Sequence, residues 1–468
     1  MATPLMTIRN LTSNAITIKH YEINDIHHTL NLGGRFSNIT SLWSTPASSK
    51  PPQSNLQDVS MLVEPFKSCK ANVRPARVPH QSLSLFFEIE GELYQTNIIY
   101  PTCHAQFLMP LTDNPRHHHT TVYHPEHHHL TILFRDQKGP WMQSLRDETP
   151  LSALSIPGTH NSPTYHRALP SVRCQVASVR EQLQQGVRFL DIRVQPEAPL
   201  DPTKDRLILV HGVFPISLTG ARYFRTVVNE VVAFLDQHPS ETIVMSVKRE
   251  GPGEATDAQL SRMLKDHYTG DVDRWFTAPR IPTLAEARGK IVLIRRFTLD
   301  ESLKNEWSGA GWCINGDVWA DNSPNSLCPS GDICFQDFYE VLKRETIGKK
   351  VQYSIDHLKR AAQCVCPAGS EHKQPFYINF LTASNFWRQS CWPDRIATKL
   401  NPVIVDYLCT KHNTPEAINS SEQGEQMKLG DGSTGIVVCD WVGYGGNWDI
   451  VRCIIGMNAR FEAKESLH

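Results

Sequence analysis

Two histidines stand where apolar runs stop. His160 follows the proline-glycine pair in SIPGTHNS, and His211 closes LILVHG. Other apolar runs end on charge: Asp191 and Arg193 in LDIR, Lys248 in SVKR, Arg295 and Arg296 in LIRRF, Asp337 and Tyr339 in FQDFY, Asp440 in VVCDW. Imidazoles titrate near neutrality, so two of them can divide proton work. One takes a proton from a nucleophilic hydroxyl while the other gives one to a leaving oxygen. Fixed cations beside them suit an anionic oxygen cluster, a phosphate above all. A carboxylate behind one imidazole fixes its tautomer and raises its basicity. The set reads as machinery for phosphodiester cleavage without a covalent enzyme intermediate.

Such groups act only if the fold brings them to one place. From about residue 140 apolar strands alternate with amphipathic helices. The strand candidates are LSALSI, GVRFLDIRV, LILVHG, ETIVMSVKR, GKIVLIRRF, ICFQDFY, FYINFLTA and TGIVVCDWV. Helices are expected near 178–185, 222–237, 256–268, 350–363, 395–409 and 448–459. In the second of these Phe224, Val227, Val228, Val231, Phe234 and Leu235 recur at helical spacing, and His238-Pro239 ends it. Eight strands with helices between them predict an α/β fold, a distorted (β/α)8 barrel over residues 139–468, with its active groups at the carboxyl ends of the strands. The interval 300–331 lacks a clean helix. Residues 1–138 differ: short alternating runs broken by Pro, Gly, Ser and Asn predict an antiparallel β-sandwich of unassigned role, with a long polar loop at 41–55.

PGTHNS, LDIR, LVHG, SVKRE, GKIVLIRRF, FQDFYE and GIVVCDWV, in that order, resemble the catalytic X domain of phosphatidylinositol-specific phospholipase C in its bacterial, single-barrel form. The resemblance covers about 145–460 and leaves out the first 138 residues. It implies that His160 is the general base toward the inositol 2-hydroxyl, oriented by Asp440, and that His211 is the general acid toward the departing diacylglycerol oxygen. Arg193 would neutralise the phosphate. Lys248 and Arg295, with Arg296 as the alternate, would bind inositol hydroxyls or phosphate, and Asp337 and Tyr339 would contact the ring, the tyrosine by stacking. The first product would be a 1,2-cyclic inositol phosphate. Calcium-dependent relatives carry carboxylates where this chain has Lys248 and near the end of the second strand. Arg193 and Lys248 would repel the ion there, so no metal is expected. Asn161 and Asp191 point the other way, toward calcium as the alternative; without it both would serve the substrate.

A lipid substrate requires a membrane-facing rim. Phe386, Trp387 and Trp392, in ASNFWRQSCW after the seventh strand, suit the headgroup zone. A net charge of -1 gives no overall basic field for nucleic acid or for strong docking on anionic lipid. No apolar run is long enough to span a bilayer, and MATPLMTIRN does not read as a signal peptide, so a cytoplasmic protein peripheral to membranes is expected. The 12 cysteines are expected as reduced, isolated thiols. Histidine triplets at 117–119 and 127–129, with His124 between them, could bind a transition metal but are expected as a solvated loop. Two further readings share the barrel: a phosphodiesterase for another headgroup, glycerophosphodiester or sphingolipid, and a catalytically weak lipid-binding protein. Both histidines and Arg193 argue against decay.

Overall fold

The computed structural model describes residues 5–25, 56–75, 81–99, 105–134, 139–201, 203–342, 344–366, 374–419 and 428–463. The polar segment 41–55 lies outside them. The chain divides into two compact units, Met1–Ile132 and Leu133–His468.

The first nine strands are β1 (Met6–Leu11), β2 (Ile16–Asp25), β3 (Gln57–Val63), β4 (Ser68–Ala71), β5 (Gln81–Ile89), β6 (Glu92–Ile99), β7 (Ala105–Pro110), β8 (His119–His124) and β9 (His129–Phe134), all in the first unit except the last two residues of β9. They form one hydrogen-bonded path in the order β3-β2-β5-β6-β7-β8-β9-β1-β4. Period-2 alternation decides which face is buried. Along β6, Tyr94, Thr96 and Ile98 point inward and their neighbours outward. The β5–β6 hairpin turns on Glu90 and Gly91, both at positive φ, which matches the twist of the flanking strands. Met6, Ile8, Ile16, Ile18, Leu83, Leu85 and Phe87 form the core. The histidine-rich stretch is only partly a loop: His117, His118, His127 and His128 lie outside the strands, with His118 and His127 exposed, whereas His119, His124 and His129 belong to β8 and β9, whose residues are all buried.

The second unit contains β10 (Ile156–Thr159), β11 (Phe189–Pro196), β12 (Leu207–His211), β13 (Phe214–Pro215), β14 (Ile243–Arg249), β15 (Trp275–Phe276), β16 (Ile291–Arg296), β17 (Ile314–Asn315), β18 (Ser326–Leu327), β19 (Ile333–Gln336), β20 (Phe376–Phe380) and β21 (Ile436–Cys439). Seven of them run parallel in the order β16-β14-β11-β10-β21-β20-β19. Among the described residues no ladder joins the β15–β17 edge of this barrel-like sheet to the β18–β19 edge. Among the described residues the helices of six or more residues are α1 (Val179–Gln184), α2 (Phe224–Gln237), α3 (Asp257–His267), α4 (Arg344–Ala362), α5 (Pro393–Thr410) and α6 (Asp449–Gly456). All six apolar side chains named above on α2 are buried, each contributing about 1.5–3 kcal/mol. The interval 300–331 holds two four-residue helical segments, Glu301–Lys304 and Glu306–Gly309, and two-residue strands. No helix among the described residues is long and apolar enough to cross a membrane.

Two expected strands change role. LSALSI forms a 3-10 turn at Leu151–Ala153 before the strand starts at Ile156. LILVHG is not a staple of the barrel. β12 runs antiparallel to β11, pairing Val194 with Leu209, and folds back on β13. A short connection from the overhanging end of β11 permits an antiparallel return but not a parallel crossover.

Candidate active site

Register explains how the site assembles. Thr159 on β10 pairs with Cys439 on β21, so the residues that follow them, His160 and Asp440, leave the sheet side by side. His160 Nδ1 lies 2.9 Å from Asp440 Oδ1. The side-chain amide of Gln175 donates to the carbonyls of both His160 and Cys439, fixing the two strand ends together. Asn161 turns the chain away at positive φ, a conformation that asparagine tolerates. Gly158 allows β10 to lie close on β11: a Cβ there would sit 2.8 Å from the Phe189 ring.

The cations come from adjacent strands. Arg193 pairs with Lys248, and Lys248 with Arg296, so the three side chains stand in line on one face. Asp191, two residues before Arg193, shares that face. Arg295 pairs with Val247 and points to the opposite face. There it is buried against the carbonyls of Trp312 and Phe297 and the carboxylate of Asp317. The expectation that Arg295 meets the ligand is therefore corrected. Arg296 is the arginine on the site's side, stacked 3.8 Å over the Trp319 ring and 3.6 Å from Asp337.

Arg193 is held from two sides. Asp191 Oδ2 accepts from its Nε and Nη2 at 3.2 Å each, and Glu250 accepts from its Nη1 at 3.0 Å. Glu250 also accepts from Lys248 Nζ at 2.8 Å and from the Gly212 amide at 2.9 Å, tying the cation row to the loop after His211. Burial raises the Asp191 carboxyl, but Arg193, His160 and Arg296 outweigh it and hold it below the usual range. Burial likewise opposes ionisation of Glu250, and Arg193 with Lys248 drive it well down. Arg193 itself is lowered by burial and raised further by Asp191 and Glu250, so it stays charged. Asp440 is raised, chiefly by burial.

His211 arrives on the antiparallel return of β12. Its ring meets His160 edge-on at 87°, with centroids 5.5 Å apart. Its Nδ1 lies 2.7 Å from the Val172 carbonyl, which assigns the proton to Nδ1 and leaves Nε2 bare in the neutral ring. Desolvation, then Arg193 and His160, push its pKa down to about 3. Asp337 accepts from Trp319 Nε1 at 2.9 Å, and the Tyr339 hydroxyl donates to Asp321 at 2.8 Å. Asn161 and Asp191 are wholly buried, and each keeps one side-chain oxygen, Oδ1, without a hydrogen-bond partner. The Asn161 side-chain amide donates to the Val210 carbonyl, and its backbone amide bonds to Asp191. Trp387 is 88% exposed, and Phe386 stacks on Phe214 of β13 at 5.1 Å. Trp392 donates from Nε1 to the Phe386 carbonyl.

Residues 148–297 match the family model described as phosphatidylinositol-specific phospholipase C, X domain. The 1-phosphatidylinositol phosphodiesterase of Staphylococcus aureus (strain Newman) is 26% identical over 339 residues, covering 68% of this chain and 93% of that protein. The protein of the same name from Listeria monocytogenes is 35% identical over 164 residues, 33% of this chain, and the match spans just under half of that enzyme, 47%. A solved mutant of the Staphylococcus aureus phosphatidylinositol-specific phospholipase C superposes with a TM-score of 0.53 at 25% identity, covering 69% of this chain and 98% of that one. The X-domain match takes in the ends of β10, β11, β12, β14 and β16, while Asp337, Tyr339 and Asp440 lie beyond it.

Sequence reasoning passed over Glu250, although SVKRE contains it. A carboxylate two residues past Lys248 on the same strand face was the available signal. Trp319 and Asp321 sit in the interval without a clean helix, where no periodicity marks them. Cys174 and Gln175 lie in the loop after His160, which gave no signal.

Proposed function

We propose that the second unit is a phosphodiesterase acting on phosphatidylinositol or a glycosylated inositol lipid. The observation that carries this is the edge-on pair His160 and His211, with Asp440 behind one ring and Arg193 alongside. His160, its Nδ1 proton held by Asp440, takes the 2-hydroxyl proton on Nε2. The 2-oxygen then forms a bond to phosphorus as the bond from phosphorus to the diacylglycerol oxygen breaks. His211 gives its proton to that oxygen. Arg193 offsets charge building on the phosphate oxygens, and the product is the 1,2-cyclic phosphate. To act as acid, His211 must first be an imidazolium. The free site opposes that through burial first and Arg193 second, and an incoming phosphate anion offsets Arg193 and so favours protonation. Arg296, Lys248, Asp337 and Tyr339 are assigned to the headgroup.

We further assign a reaction needing no divalent cation. Asp191 and Glu250, the acids that a calcium ion would use, already hold Arg193, and a +1 guanidinium fixed there repels a second cation. Exposed Trp387, with Phe386 and Trp392, is assigned to the bilayer headgroup zone. The first unit is read as a sandwich around the Met6, Ile8 and Phe87 core, of unassigned role. Phosphorus NMR of phosphatidylinositol vesicles treated with the protein, with and without chelator, tests the reading. A cyclic phosphodiester resonance in both samples is expected. Hydrolysis lost with chelator and restored by calcium overturns the metal assignment, and no phosphorus product in either sample overturns the function.

A further inference from the structure

The catalytic pair has an unused neighbour. Among the described residues, one grouping brings ligand atoms of three His, Cys, Asp or Glu side chains within 4.8 Å of one another: His160, Cys174 and His211. Cys174 is a wholly buried free thiol in the loop after β10, with its Sγ 3.7 Å from His211 Nδ1. Its main chain is fixed by Thr164 Oγ1 on one side and by the Trp441 amide on the other, so the sulfur is held in place. The proposed proton transfers do not use it.

From this we infer an inhibitory site for a thiophilic divalent cation, zinc above all, on Cys174, His211 and His160. The sulfur-to-nitrogen spacing fits the ion. A zinc about 2.3 Å from sulfur and about 2.0 Å from nitrogen would subtend roughly 115–120° across a 3.7 Å gap, close to tetrahedral. The third ligand is also prepared. Asp440 engages His160 Nδ1, which leaves Nε2 as the donor and supplies the carboxylate–histidine–metal arrangement that strengthens an imidazole ligand. A fourth position stays open for water. Binding releases the Cys174 thiol proton to solvent. His211 gives up its bond to Val172 and carries its proton on Nε2. The thiolate and Asp440 balance the ion's two charges, while Asp191 and Glu250 offset the neighbouring Arg193. With both imidazoles coordinated, neither is free to move a proton. The inhibition rests on the proposed hydrolase reading, whereas the binding does not.

Cobalt and zinc, added to the full-length protein in a non-chelating buffer, test this. Cobalt is expected to give a thiolate-to-metal charge-transfer band in the near ultraviolet that zinc displaces. Cys174→Ser and Cys174→Ala should both abolish that band. Hydrolysis without added metal should persist in those variants, and the zinc concentration for half-inhibition should rise at least about tenfold, the scale of a lost ligand or ligand support. His211→Gln also removes the band, giving a check independent of any substitution at the thiol. A band or zinc inhibition that survives in both Cys174 variants means binding at other cysteines only and overturns the site. A Cys174-dependent band with no hydrolase activity in any form keeps the metal site and rejects the hydrolase reading.

Discussion

At the scale of single residues, the site works by setting charge states apart. His160→Ala and His211→Ala should each lower turnover by about 10²–10⁴-fold, the usual worth of a positioned proton donor or acceptor, with the circular dichroism spectrum unchanged. Hydrolysis surviving both changes would refute the assignment. Arg193→Lys keeps a charge but loses the fork that Asp191 and Glu250 hold, and kcat should fall on the order of 10²–10³-fold. His211 also makes a prediction about pH. A histidine in the unfolded chain titrates near ~6.5, while the folded His211 is held down to about 3 by desolvation and its cationic neighbours. Between those values the unfolded chain binds the extra proton. Stability is therefore full above about 6.5 and is lost as pH falls toward 3. Urea denaturation between pH 7 and 4.5 should show a shallower loss in His211→Gln than in the parent. Buried His357, also lowered to about 3 chiefly by desolvation, adds a parallel contribution and provides a second variant for the same test.

Among the elements, two devices decide where the imidazoles stand. The β10–β21 register brings His160 beside Asp440, and the β12–β13 return brings His211 over the mouth. The first depends on the close approach of β10 to β11 at Gly158. Gly158→Ala would place a methyl carbon 2.8 Å from the Phe189 ring, with the ring's own Cβ at 3.0 Å. Overpacking of this kind costs about 1–3 kcal/mol. The expected result is a lower denaturation midpoint together with reduced activity, because the strand that moves carries His160. A midpoint unchanged from the parent would show that the two strands separate at no cost. The cation row belongs to this scale as well. A single residue shift of β16 would exchange Arg296 for Arg295 on the inner face.

For the whole molecule, the proposed function makes access to a lipid the problem. Trp387 stands on the loop after β20, and the Phe386–Phe214 stack joins that loop to the return carrying His211. Trp387→Ala should leave folding stability within about 0.5 kcal/mol, as at other exposed positions. It should weaken binding to phosphatidylinositol vesicles and slow hydrolysis there. Hydrolysis of a water-soluble inositol cyclic phosphate should be unchanged. Sedimentation with vesicles and the two rate measurements check this, and an equal loss on both substrates would move Trp387 from the membrane to the active site.

The candidate site was legible from sequence because its residues follow apolar runs, and strand ends are where a barrel exposes polar groups. His160, Asp440, Arg193 and Lys248 all follow that rule, and the structure brings them within one cluster. Helix α2 was equally legible, since six buried side chains repeat at one period. Facing was not legible. Which of two adjacent arginines points inward depends on how β16 pairs with β14, and nothing within IVLIRR records it. Nor could the chain alone show that LILVHG runs antiparallel, because a strand's direction is a property of its partner. Glu250 and Cys174 acquire meaning only from what stands across from them, Arg193 in one case and His211 in the other. Residue types and local periods are written along the chain, whereas side-chain facing and opposing pairs arise from long-range hydrogen bonding and packing.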